Sequence, residues 1–238
     1  MSAPMTWPAL KFVSFMFNSL SSLDDSLRLL PFVEVLDLSH NSLETCATHL
    51  EFLGDVISIT LAYNSLVTIP SFSVSTRSSL TFLILRGNNL DRINGVEVLI
   101  TLQELDLGEN CLNDHSFLEP FSALVKLKQL QLDGNPIFYH RFHRRLTLSC
   151  LAKQVVNTQF ELDKKKLSQS EISHFMQRRR PAKSLMERPS YPTRAKPHNR
   201  TPDRDSVYGM SPSSGIGTEN ESPDIVVTPG AIKKGKRK

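Results

Sequence analysis

Few residues in this chain are spaced for chemistry. His140 and His143, upstream of Cys150, form a local cluster with the donor types of a metal site, within the string HRFHRR. Arg141, Arg144 and Arg145 crowd that cluster with positive charge and no carboxylate adjoins it in sequence, so it reads as part of a helix with a basic exposed face. Cys46, Cys111 and Cys150 lie far apart without metal-type spacing and are odd in number, as expected of free thiols in a reducing compartment. There is no glycine-rich nucleotide loop, nucleophile elbow or paired acid and base, and serines and histidines are scattered without triad spacing. The expectation is a non-enzyme with no cofactor and no metal.

What does recur is asparagine, at Asn18, Asn41, Asn64, Asn88, Asn110 and Asn135, in steps of 23, 23, 24, 22 and 25 residues. Each closes the pattern L-x-x-L-x-L-x-x-N-x-L, from LKFVSFMFNSL (10 to 20) through VEVLDLSHNSL, VISITLAYNSL, LTFLILRGNNL and LQELDLGENCL to LKQLQLDGNPI (127 to 137). A fixed period of this length is the signature of a solenoid. Within L-x-L the two apolar residues stand two apart on a short strand and so point to one face, the interior. The asparagine follows where the chain turns, and its amide can satisfy backbone groups that the turn leaves unpaired. The six asparagines are therefore expected to form a structural ladder rather than a binding site.

The fold class predicted is α/β: a leucine-rich-repeat solenoid (horseshoe) of about six repeats. No coil buries its leucines alone, so stacking and end caps are required. Residues 1–137 are assigned to the repeats and 138–170 to a C-terminal cap. In that cap FYHRFHRRLTLSCLAKQVV carries Phe142, Leu146, Cys150 and Leu151 at helical spacing, and FELDKKKLSQSE reads as a final extended piece. The apolar cluster Phe12 to Phe17 lacks the flanks of a signal peptide, and no run approaches the ~20 apolar residues of a spanning helix.

W-P-x-L followed by F-N-S-L-x-x-L-D-x-S-L-R-L-L (Trp7 to Leu30), then LDLSHNSL, LILRGNNL and GNPIFYHRFHRRLT, resembles the repeat region of the serine/threonine-protein kinase 11-interacting protein family over residues 7 to 167, with nischarin a more distant relative. The resemblance implies a cytoplasmic, non-enzymatic adaptor or scaffold in signalling that binds a serine/threonine kinase and influences its localisation. Members of that family are longer, so a fragment is expected, in keeping with the bare first coil and the ending at KKGKRK. Short arrays of this kind also serve as phosphatase regulatory subunits or nuclear ribonucleoprotein components, the alternative reading.

With the register fixed, positions 2, 3, 5, 7 and 8 of each repeat face away from the core. They place Phe12, Met16, Phe17, Val35, Ile57, Tyr63, Phe82 and Ile84 on the concave face of the first four coils, and Glu34, Asp37, Glu104, Asp106, Glu109 and Asp133 on the same face, mostly further along. Apolar anchors at one end and carboxylates at the other suit a protein partner of basic character. For Phe12, Met16 and Phe17 the alternative is packing against preceding sequence.

Charge divides the chain. Residues 1–137 hold 7 basic against 15 acidic residues and 138–238 hold 21 against 9, so the net +4 conceals an acidic array and a basic end. Residues 171–238 read as a disordered tail rich in Ser, Pro and Arg. Thr201, Ser211, Ser222 and Thr228 each precede proline and are candidate phosphorylation sites. Arg178 to Arg180 and Lys233 to Lys238 permit nuclear entry, but the acidic array and the lack of interleaved aromatics argue against nucleic acid. A basic tail tethered beside an acidic face is instead expected to make a salt-sensitive intramolecular contact with it.

Overall fold

The computed structural model describes residues 6–46 and 48–177. The chain divides into two units, Met1–Pro189 and Ser190–Lys238, and every described residue belongs to the first. The candidate phosphorylation sites, both basic clusters and the expected contact of the tail lie outside the described residues.

Six strands arise from the six repeats: β1 (Phe12–Ser14), β2 (Val35–Asp37), β3 (Ser58–Thr60), β4 (Phe82–Ile84), β5 (Glu104–Asp106) and β6 (Gln129–Gln131). All occupy positions 3 to 5 of the repeat and pair in parallel with their sequence neighbours. The middle residue of each strand points inward, and Leu36, Ile59, Leu83, Leu105 and Leu130 are 0% exposed. In the first coil, by contrast, Val13, Phe15, Leu20 and Leu23 are only partly buried against the core. The protein is thus an α/β leucine-rich-repeat solenoid.

The return arms are short 3-10 helices, at Asp25–Leu29, His49–Phe52, Val96–Val98 and His115–Ala123, together with one α-helix, α1 (Val74–Ser79). Short polar side chains start several of them: Asp24, Ser73 and Asp114 accept from the backbone N–H of Ser26, Thr76 and Ser116. Such caps satisfy donors that a helix start leaves without a partner.

Pro136 opens a 3-10 turn, Pro136–Tyr139, that leaves the repeat pattern and leads into α2 (His143–Cys150). β7 (Glu161–Leu162) then adds in parallel to β6, and β8 (Lys165–Lys166) turns back antiparallel. Their two-residue loop, Asp163 and Lys164, has positive φ at both positions, as tight hairpins require. The expected final extended piece is therefore a hairpin followed by a helix, α3 (Gln169–Gln177), which crosses the cap boundary expected at 170. SQSE is a capping box: the Ser168 N–H donates to Glu171 Oε2 at 2.8 Å, and the Glu171 N–H donates to Ser168 Oγ at 3.3 Å. Arg144 fastens α3 to α2 through Glu171 Oε1 at 2.7 Å; burial pushes the Glu171 carboxyl up, but the hydrogen bonds from Arg144 and from the Ser168 N–H and hydroxyl outweigh it and hold the carboxyl at about 2.

Candidate protein-binding surface

The asparagines turn inward from the strand ends. Asn64 donates to the Leu38 and Leu61 carbonyls, one in the preceding coil and one in its own, at 3.0 and 3.1 Å, and accepts from the Leu43 N–H at 3.0 Å. Asn41, Asn88, Asn110 and Asn135 repeat this scheme. Among the described residues, Asn18 bonds to the Phe15 and Met16 carbonyls of its own coil and to no neighbouring coil. At the other end the Asp163 carboxylate accepts the Leu132 N–H at 2.8 Å.

The residue before each asparagine is left-handed in every coil: Phe17, His40, Tyr63, Gly87, Glu109 and Gly134 all have φ between 53° and 81°. The turn thereby presents the side chains of Phe17, His40, Tyr63 and Glu109 along one edge of the sheet, at the ~4.8 Å strand spacing. Phe17 stacks on His40 with ring centroids 4.2 Å apart, and His40 stacks on Tyr63 at 4.6 Å. The Tyr63 ring covers Gly87, where an added Cβ would collide with it. Phe17 remains 69% exposed and Tyr63 41%. His40 was not among the expected face residues, although the column of position 8 contains it.

Strand register sets two further rows. One runs Phe12, Val35, Ser58, Phe82, Glu104, Gln129, Glu161; the other runs Ser14, Asp37, Thr60, Ile84, Asp106, Gln131. Phe12, Ile57 and Phe82 are exposed, and Val35 and Ile84 half-buried. Of the expected apolar residues, Phe12, Val35, Phe82 and Ile84 thus lie in the strand rows, and Phe17 and Tyr63 in the turn that follows.

The expected acidic end is different, because most of its carboxylates are engaged. Arg86 reaches across Gly108 and two coils to bond Asp106 Oδ2 at 2.9 Å, Glu109 Oε1 at 2.7 Å and Asp133 Oδ1 at 2.6 Å. Burial pulls the Asp133 carboxyl upward, but the Arg86 hydrogen bond and charge outweigh it and hold the carboxyl below the usual range. Burial by itself would lower the Arg86 guanidinium, and Asp133, Asp106 and Glu109 instead hold it above its ordinary value. Asp37 is taken up by the N–H and hydroxyl of Ser39, and Glu34 by Lys11 at 2.9 Å. Asp106, Glu109 and Asp133 are thus a clasp rather than the open anionic patch their positions suggested. Glu104 and Glu161 form no ion pair among the described residues, and burial, then Asp106 and Glu161, raise the Glu104 carboxyl.

The histidine cluster of the cap also resolves into something the sequence concealed. Asp163 supplies the carboxylate that local sequence lacks: its Oδ2 lies 3.0 Å from His143 Nε2, and His143 Nδ1 lies 3.1 Å from His115 Nε2. All three side chains are buried or nearly so, and His140 meets the cluster through an edge contact with the His115 ring while its Nδ1 accepts the Phe142 N–H at 3.2 Å. Burial first, then His143 and His140, depress the His115 imidazole to about 4. Burial raises the thiols of Cys46 to about 12 and Cys150 to about 11, so neither is a ready nucleophile. No group of three or more His, Cys, Asp or Glu side chains is placed to hold a metal ion among the described residues. Nor is any described helix long and apolar enough to cross a membrane.

No protein-family model matches the sequence. Over 174 residues the chain is 43% identical to the Gallus gallus serine/threonine-protein kinase 11-interacting protein, a match covering 73% of this chain and 16% of that protein. The Homo sapiens protein of the same name is 39% identical over 166 residues, covering 69% of this chain and 15% of its own length. The chain thus spans a small part of the relatives it matches. Among solved structures, a Drosophila melanogaster SNF/U2A′ complex aligns at a TM-score of 0.44 and 26% identity, over 50% of this chain and 66% of that one.

Proposed function

Because the chain is a leucine-rich-repeat protein similar over 73% of its length to a kinase-interacting relative, we propose that it is a non-enzymatic cytoplasmic adaptor. Its partner is a serine/threonine kinase whose location it influences. The observation that carries this reading is the ring stack Phe17, His40 and Tyr63, together with the exposed Phe12, Ile57 and Phe82 of the first four coils. Aromatic rings bring large contact area, and stacking fixes their rotamers before a partner arrives, so less entropy is lost on binding. Phe17 and Tyr63 leave much of their rings in solvent, while Leu36, Leu38, Ile59 and Leu61 fill inward positions of the second and third coils.

The test is a titration of the immobilised chain with purified serine/threonine-protein kinase 11. Phe17→Ala combined with Tyr63→Ala weakens binding at least about tenfold, or about 1.4 kcal/mol. Both side chains are substantially exposed, so far-UV circular dichroism of the double variant stays unchanged. Undiminished affinity in a folded double variant would overturn the assignment of this face.

A further inference from the structure

The cap encloses a groove of about 1170 Å³ between α2, α3, the turn before α2 and the β7–β8 hairpin. Part of its lining is apolar, from Phe138, Leu148, Phe175 and Met176. Its carboxylates are already committed: Asp133 to Arg86, Asp163 to His143 and the Leu132 N–H, Glu171 to Arg144 and Ser168. Its cations are not. Arg141, Arg145, Lys153 and Lys165 line the same space and make no ion pair among the described residues.

Two of these charges are gathered at one ring. The Arg141 guanidinium lies 4.4 Å and that of Arg145 5.8 Å from the Phe142 centroid. The Nε of Arg145 is buried without a hydrogen-bond partner among the described residues. A buried donor on a charged group costs free energy until an acceptor meets it, and two like charges over one ring repel until an anion lies between them. The surrounding wall is braced in advance, since Arg144 ties α2 to α3 at Glu171 and to the hairpin at the Leu162 carbonyl, 2.8 Å away.

We propose that this groove is a second docking site, which takes an acidic peptide segment of a partner protein anchored by an apolar side chain. Carboxylates of the segment meet Arg141, Arg145 and Lys165, and an aliphatic or aromatic side chain lies against Phe175 and Met176. A nucleic acid would match the cations but has no aliphatic side chain for the apolar lining. A bilayer surface would not follow a recessed groove. The site is built from the cap and is separate from the ring stack of the first three coils, so both can be occupied at once.

The test is fluorescence anisotropy of the full chain with a short fluorescein-labelled peptide alternating glutamate and leucine. Binding weakens about tenfold when Arg141→Gln and Lys165→Gln are combined, and falls as salt is raised through the range where the Debye length drops below about 10 Å. Both residues are exposed, so the variant keeps the fold. Analogues with glutamine for glutamate, or with serine for leucine, each lose about as much, because charge and anchor are both required. Phe17→Ala with Tyr63→Ala leaves this peptide's affinity unchanged, which separates the groove from the adaptor face. Equal binding by the Arg141 and Lys165 variant, equal binding of either analogue, or tighter binding of a single-stranded oligonucleotide or of phosphatidylserine vesicles overturns the proposal.

Discussion

Arg86→Met isolates the charge clasp. Its side chain is 13% exposed and that of Asp106 10%, whereas Asp133 and Glu109 are 30% and 51% exposed. The Glu109 bond lies in water and contributes about 0–1 kcal/mol. The Asp106 bond weighs most, because removing one partner of a buried pair leaves an uncompensated charge, at a cost of about 3–5 kcal/mol. Asp106 retains the Gly108 N–H at 2.8 Å, and Asp133 can take up water, so the low end applies: a loss of about 3 kcal/mol at neutral pH. Urea unfolding of the full chain, followed by far-UV circular dichroism, measures it. The sign of the pH dependence is fixed by the carboxyls. Asp133 titrates lower folded than its unfolded value of 3.8, so its contribution is present above that value and lost as pH falls through the depressed folded value. In the variant that contribution is missing, so its deficit against the parent shrinks as pH is lowered from above 3.8 to below the depressed folded value. Arg86→Lys keeps the charge but not the three-way fork and recovers less than half of the loss. A deficit below about 1 kcal/mol, or one equally large at both ends of that pH range, refutes the reasoning.

Asn88→Ala removes two donors and an acceptor from buried backbone groups and costs about 3 kcal/mol, whereas Asn18→Ala, outside the inter-coil scheme, costs less than about 0.5 kcal/mol. Equal losses in the same urea assay would show that the amides do not join the coils. His115 is kept neutral in the fold, about 4 against 6.5 unfolded. The unfolded chain therefore binds the proton first, and stability falls by about 2 kcal/mol as pH drops from 6.5 toward about 4. An imidazole titration by NMR with a midpoint near 6.5 would contradict this.

Strand positions, inward leucines and asparagines were legible because each obeys a period that a single coil states and the next repeats. The apolar face residues Phe12, Phe17, Tyr63 and Phe82 followed from the same register. The clasp was not legible from any one coil. Its geometry depends on the column Met16, Ser39, Ala62, Arg86, Gly108, Asp133, in which a glycine lets a guanidinium pass over it. His40 joined the ring stack for a similar reason: alone it is an unremarked histidine, and only between Phe17 and Tyr63 is it a rung. The cap has no period at all. Asp163 reaches His143 through a hairpin whose residues read as an extended run, and that same reading passed over the capping box SQSE, the one local signal of α3.

The engaged carboxylates change what the proposed partner must look like. Residues 1–137 are acidic by count, yet the clasp, Ser39 and Lys11 occupy most of the strand-face carboxylates expected to bind. Glu104, crowded by Asp106 and Glu161, is where a cation from outside would relieve the most repulsion. From Phe12 to Glu104 the row crosses four strand steps, about 19 Å at the ~4.8 Å spacing of paired strands. An extended chain advances about 3.3 Å per residue, so a segment that touches both ends carries its lysine or arginine about six residues from its apolar anchor. Net acidity alone would have accepted any basic surface. The distribution of unpaired charge instead favours an extended segment laid across the strands, with its apolar end on the rings and its cation at Glu104.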